Sequence, residues 1–264
     1  ILDALPQELK RTLRYTAVER SASARIALGD SGLEAVGELG EVSGPVVGCV
    51  LANELLDNLP FHRLRGTSMG PRELFVDVEG DRFLVVEGPP SSSEIAALAP
   101  ELDPGQEFVV SPGALGFVDE AADVLERGYV WLVDYGFIDD AESRSVHGYR
   151  EHRVHGDVLA EPGSTDITAG VDFAALARHA RGQGLRVWGP VSQRDALLAL
   201  GFRELDDRAQ ARQVEALDAR RGIDALRIYS DRNRANLLLG RGGPGASLVL
   251  CLGKNADRPP RSVR

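Results

Sequence analysis

At 264 residues the chain is long enough for one large domain or two small ones, with a core that needs no disulfide staples. A net charge of -10 argues against a general nucleic-acid binder, which needs clustered Lys and Arg, and suits an acidic surface that would attract a basic protein. The apolar fraction of 43% is that of an ordinary globular protein, and no apolar run approaches the ~20 residues of a membrane span.

Residues 1–14 place Leu2, Leu5, Leu9 and Leu13 at helical spacing. The opening ILDALPQELKR has no signal-peptide layout, so the expected location is cytoplasmic. Tyr15–Glu19 reads as a short strand ending on an acid, with Ser21 and Ser23 placed to cap the next helix. An acid at the end of a strand is the usual partner of ribose hydroxyls in nucleotide-binding α/β folds; a surface glutamate is the plainer alternative for Glu19. Gly29 to Pro45 is Gly-rich and acidic and reads as a loop.

Val46–Ala52 is an apolar run that stops at Asn53 and Glu54, the shape of a buried parallel strand delivering polar groups to its carboxyl end. Asn53, Glu54 and Asp57 are therefore candidates for chemistry. Equally, Asn53 could cap a helix over 54–59 with Glu54 in its first turn, closed by Pro60. Residues 72–88 predict a β-hairpin turning at Gly80 and Asp81, and 89–106 a loop. Pro112–Arg127 predicts a helix, and Tyr129–Val133 a second buried strand ending on Asp134 and Tyr135. Two such strands separated by a helix predict a parallel sheet.

Residues 137–170 read as irregular, and a loop of that length is usually functional. It holds His147 and the H-x-x-H pair His152 and His155. No Cys or i,i+4 spacing supports them as ligands, so no metal is expected. Asp172 to Gly182 predicts a helix capped by Asp172 with Phe173, Leu176 and Ala177 inward, followed by a strand at 185–188, a helix at 192–200 and a largely helical stretch over 204–238. Residues 247–253 predict a final strand. The GRGGPG before it precedes a strand instead of following one, so it reads as a turn and not a phosphate loop. Cys49 and Cys251 lie inside apolar runs and read as buried free thiols. A single domain over 1–255 with a disordered tail at 256–264 is the expected organisation.

NELLDNLPFHRL, LVDYGF, YREHRVH and PGSTDITAGVDFAALA occur in one order at natural spacing. Together they resemble the MidA family of class I methyltransferases, related to the mitochondrial methyltransferase that assists assembly of respiratory complex I. The resemblance runs from about Tyr15 to Gly253. It implies an α/β fold: a Rossmann-like sheet with helices on both faces, an inserted β-hairpin and a long loop. It also implies S-adenosyl-L-methionine as cofactor and protein arginine as acceptor, with a respiratory-complex subunit as a possible partner. By this resemblance Glu19, Asn53 and Glu54 bind the donor. Glu54, Asn53, Asp57 and Asp134 lie at the methyl-transfer site, and Tyr135, Asp166, Thr168, Asp172 and Phe173 lie on the substrate side. The family's E-x-G-x-G loop after a first strand has no counterpart here, so the expectation is a chain lacking its first strand.

Methyl transfer from a sulfonium needs alignment and desolvation. A protonated arginine acceptor could be held by a carboxylate pair, with Glu54 as one member and Asp57 or Asp134 as the other. A second class of function is a non-catalytic assembly factor on the same fold. A third, a nicotinamide-dependent oxidoreductase, is disfavoured because no G-x-G-x-x-G follows a strand.

Overall fold

A computed structural model describes residues 2, 5–138, 146–150, 153–155, 157–161, 163–240 and 243–263. The chain opens with helix α1 (Gln7–Thr12), strand β1 (Thr16–Val18), helix α2 (Ala22–Asp30) and strand β2 (Glu34–Val36). The Ser21 hydroxyl accepts the Ala24 N–H and caps α2. β1 and β2 pair in parallel, so the stretch expected to be a loop after Gly29 contains a strand. Three residues, EAV, are too few for an alternation pattern to show in sequence.

Strand β3 (Val46–Asn53) follows, and then the first part of an inserted antiparallel sheet. That sheet contains β4 (His62–Thr67), β5 (Gly70–Glu79), β6 (Arg82–Gly88) and β7 (Glu107–Val110), in the order β6-β5-β4-β7. The hairpin expected over 72–88 is β5–β6, with Glu79 opposite Arg82 and Gly80 at φ 65° in the turn. β4 was hidden by its composition: HRLRGT alternates, but its outward residues are Arg63 and Arg65, which bridge to Glu107 and Glu87. Short helix α3 (Ser93–Leu98) lies between β6 and β7.

Helix α4 (Pro112–Val124) leads into β8 (Leu125–Asp134) and the short β9 (Gly136–Phe137). The stretch over 137–170, expected to be irregular, carries a small antiparallel sheet of β10 (Val146–Arg150), β11 (Arg153–His155) and β12 (Asp166–Ala169). β13 (Val171–Asp172) then pairs in parallel with β9. Helix α5 (Phe173–Gly182) is capped by Asp172, whose Oδ1 accepts the Ala175 N–H at 2.8 Å. Strand β14 (Arg186–Ser192), helices α6 (Gln193–Ala199), α7 (Phe202–Asp218) and α8 (Gly222–Asn236), and strand β15 (Leu248–Lys254) complete the fold.

The principal sheet has the order β14-β15-β8-β3. β3 and β8 are parallel, and β15 runs antiparallel between β8 and β14. α4 and α5 cover one face, where Val130, Leu132, Leu250 and Leu252 join Val118, Phe173 and Leu176 in the main core. On the other face Val249 and Cys251 pack with Ala196 of α6 and Val263. The stretch expected to be a disordered tail thus docks on the sheet, with Val263 and Ser262 buried. Its apolar Val263 fills the space beside α6, a long-range contact that the polar sequence around it does not announce.

Helices lie on both faces, as expected, but they do not cover β3 equally. Its even residues, Val46, Val50 and Ala52, face the main core. Its odd residues face away, leaving Val47 59% and Leu51 54% exposed and Cys49 exposed. Cys49 is therefore not the buried thiol its apolar surroundings predict; Cys251 is.

Candidate active site

The carboxyl ends of the parallel pair β3 and β8 meet at one place. Asn53 is the last residue of β3, paired with Val133, and the Glu54 N–H donates to the Val133 carbonyl at 2.9 Å. The chain then turns sharply, with Glu54 in the left-handed region at φ 51°. For a residue with a Cβ that conformation costs on the order of 1–3 kcal/mol and persists only where the surroundings impose it. The helix expected over 54–59 is instead a single 3-10 turn, Leu56–Asn58, and Asn53 does not cap it. Six residues separate β3 from Pro60, too few for a helix that must also return the chain to β4.

Asp134 fixes this turn. Its carboxylate is fully buried and accepts three backbone N–H groups: Leu56 at 2.8 Å and Asp57 at 3.2 Å on Oδ2, and Tyr135 at 2.8 Å on Oδ1. Burial, and then the neighbouring Asp57, push its pKa up to about 7 against those hydrogen bonds. Asp57 is also buried, and burial followed by the Glu54 charge raises its pKa. Asn58 opposes this by donating its Nδ2–H to Asp57 Oδ1 at 2.6 Å. Glu54 itself is exposed. The result is a ladder of carboxylates, exposed Glu54, buried Asp57 and buried Asp134, and no cation among the described residues acts on either aspartate.

β12 lies against the same turn; it carries the exposed Asp166 and the half-buried Thr168, whose hydroxyl donates to the His147 carbonyl at 3.5 Å. Tyr135 is 38% exposed beside them. Two residues expected on the substrate side are elsewhere. Phe173 is fully buried in the main core, where a β-to-helix junction needs a large apolar plug, and Asp172 caps α5. His152 lies outside the described residues, among which no cluster of three His, Cys, Asp or Glu side chains is arranged around a metal ion.

Glu19 sits at the carboxyl end of β1. One carboxylate oxygen accepts the Ser21 N–H at 2.7 Å, leaving Oε2 without a hydrogen bond among the described residues. A half-buried carboxylate with one oxygen fixed and one available is suited to a ribose diol. Asn53, exposed at the end of β3, adds an amide. The nucleoside half of a donor therefore finds fitting groups in this chain.

One partly buried ion pair of the inserted sheet has no signal in the sequence. Glu73 on β5 is 3% exposed and bonded to His62 Nδ1 of β4 at 2.6 Å and to the Ser91 N–H at 2.5 Å. Burial pushes Glu73 up, but these hydrogen bonds outweigh it and hold its pKa below the usual carboxylate range. The eleven-residue separation becomes a contact only through the β4–β5 register, which has no local signature. The cavity of about 470 Å³ beside Gly48, Gly128, Tyr129 and Asn255 lies at the opposite, amino end of the parallel pair. It holds none of these carboxylates, so chemistry and not cavity size locates the site.

An open α/β sheet of this order, with carboxylates gathered at the carboxyl ends of its parallel strands, has a Rossmann-like methyltransferase fold. Residues 1–191 match the family described as "Putative S-adenosyl-L-methionine-dependent methyltransferase", and the chain belongs to that family. It is 33% identical over 165 residues to the human mitochondrial protein arginine methyltransferase NDUFAF7, covering 58% of this chain and 35% of that protein. The Xenopus tropicalis protein of the same name is 31% identical over 157 residues, covering 58% and 36%. The chain thus spans about a third of the length of the curated relatives it matches. Two solved structures of COG1565 superfamily proteins from Burkholderia thailandensis share the fold. One, bound to S-adenosyl-homocysteine, superposes with a TM-score of 0.76 at 23% identity, covering 94% of this chain and 66% of that one. The other gives 0.75 at 23% identity, covering 94% and 68%.

Proposed function

We propose that this chain supplies the acceptor side, and part of the donor side, of an S-adenosyl-L-methionine-dependent methyltransferase that modifies arginine in a protein. The observation that carries the reading is the pair Glu54 and Asp57 on a strained turn at the end of β3, in a chain of this family. The donor, when bound, supplies a methyl group on a sulfonium. Glu19 and Asn53 would hold its nucleoside half.

Glu54 and Asp57 together form an anionic site without a resident cation among the described residues, which suits a guanidinium. Glu54, exposed at the start of the turn, orients the guanidinium and draws its charge away from the attacking nitrogen. The bound donor would give up its methyl group and leave as the neutral thioether, and the acceptor nitrogen would have to shed a proton. Asp57, with its raised pKa, accepts that proton. Asp166, Thr168 and Tyr135 line the approach from the β12 side. A protein substrate is consistent with the net charge of -10 and with the names of the relatives, which are protein arginine methyltransferases; a respiratory-complex subunit rests on the family resemblance alone.

Labelled methyl incorporation into a glycine–arginine-rich polypeptide tests this reading. Glu54→Gln keeps the shape and removes the charge, and transfer should fall by at least about 100-fold, the scale of a lost transition-state electrostatic contact. Wild-type turnover by that variant would remove Glu54 from the mechanism. The competing reading, a non-catalytic assembly factor, predicts no incorporation by either protein.

A further inference from the structure

The turn that presents Glu54 and Asp57 has no cap of its own. Its flanking residue, Leu55, offers no side-chain oxygen to the first N–H groups of the 3-10 turn. Those groups would be orphaned in a buried place, since Leu56 and Asp57 are both buried. The missing acceptor comes from 77 and 78 residues away, in the carboxylate of Asp134. The same carboxylate also accepts the Tyr135 N–H, so one buried group ties the end of β8 to the turn after β3. With three acceptor positions occupied by backbone and no exposed surface, it cannot also reach an acceptor substrate.

We propose that Asp134 is a positioning residue, a cap supplied from the neighbouring strand that locks the Glu54–Leu59 turn in the shape that presents Glu54 and Asp57. The inference rests on the reading of that turn as the acceptor site. A charged acceptor makes stronger hydrogen bonds to N–H groups than a neutral one, which explains why a carboxylate stands here although burial opposes its charge. Asn at this place keeps the volume but exchanges one acceptor oxygen for an N–H₂ aimed at N–H donors. The left-handed Glu54 needs such over-determination to persist. Asp57, from the turn, is the one charged group acting on Asp134 among the described residues, and Glu54 acts on Asp57 in turn. β15 places the uncharged Leu248 opposite Asp134 in the ladder, and β3 brings Asn53 beside Val133.

Amide NMR on the whole chain tests the proposal without turnover. In the wild type the Leu56, Asp57 and Tyr135 amide signals should titrate together, with a common midpoint near neutrality, as the shared acceptor gains its proton. In Asp134→Asn that common titration should vanish. Hydrogen exchange at Leu56 and Asp57 should then accelerate roughly tenfold to a hundredfold, the scale of lost charge-assisted hydrogen bonds, while Leu132 and Leu250 keep their protection. In a transfer assay the same variant should raise KM for the glycine–arginine polypeptide more than it lowers kcat. Independent titration of the three amides in the wild type would overturn the proposal, and that measurement needs no variant to fold. Unchanged exchange at Leu56 and Asp57 in Asp134→Asn would overturn it equally. Loss of the Glu54 role with the amide result intact would refute the acceptor-site reading and leave the cap standing.

Discussion

β15 and β3 are built from the same kind of sequence and live in different surroundings. SLVLCLG and VVGCVLAN are both short apolar runs with a central cysteine. β15 lies inside the sheet, flanked by β8 and β14, and its residues Val249–Gly253 are all buried. β3 is an outer strand of its sheet, covered by α4 and α5 on one face only, and Val47, Cys49 and Leu51 face solvent on the other. Apolar composition sets what a strand can bury; its neighbours decide what it does bury. The strand with the weaker support carries the proposed chemistry at its end, while the strand with full support anchors the fold.

The largest expected effect of that contrast is on stability. Leu250→Ala removes a fully buried side chain from the core and should cost about 2–5 kcal/mol in denaturant unfolding. Leu51→Ala, at 54% exposure, should stay within roughly 1 kcal/mol. Equal costs would erase the distinction between the two strands.

A second effect is on pH dependence. Asp134 at the end of β8 has a folded pKa of about 7 against 3.8 for its ordinary value. The folded state therefore holds a proton that the unfolded chain releases, and the associated stability is present below about pH 4 and lost as pH rises through 7. The loss should amount to roughly 2–4 kcal/mol, and Asp134→Asn should flatten it. Unfolding free energies measured between pH 4 and 8 give the slope.

A smaller effect concerns strain at the end of β3. Glu54→Gly relieves a left-handed conformation and should raise stability by about 1 kcal/mol while abolishing methyl transfer. A variant that lost both stability and transfer would place Glu54 in a structural role instead.

Much of this was legible in sequence where the signal was local. Ser21 and Asp172 are read as caps and act as caps, because capping depends on two or three neighbouring residues. The polar ends of β3 and β8 are read as one edge, and the structure brings them together through Asp134. The failures share a cause. The division of labour between Asp57 and Asp134 depends on which carboxylate the backbone claims, a contact across 77 residues. Phe173 lies in the core, as its helical spacing predicts; its place on the substrate side came from the family motif, whose sequence does not say which of its members face inward. The His62–Glu73 pair and the docking of Val263 are likewise products of register and packing.

The central claim is that the donor and acceptor meet at the carboxyl ends of the parallel strands, away from the cavity at their amino ends. Titration of the labelled chain with S-adenosyl-homocysteine, followed by amide NMR, tests it most directly. Shifts are expected at Glu19, Asn53, Glu54 and Tyr135, with Gly48, Gly128 and Asn255 unmoved. Shifts confined to Gly48, Gly128 and Asn255 would contradict it.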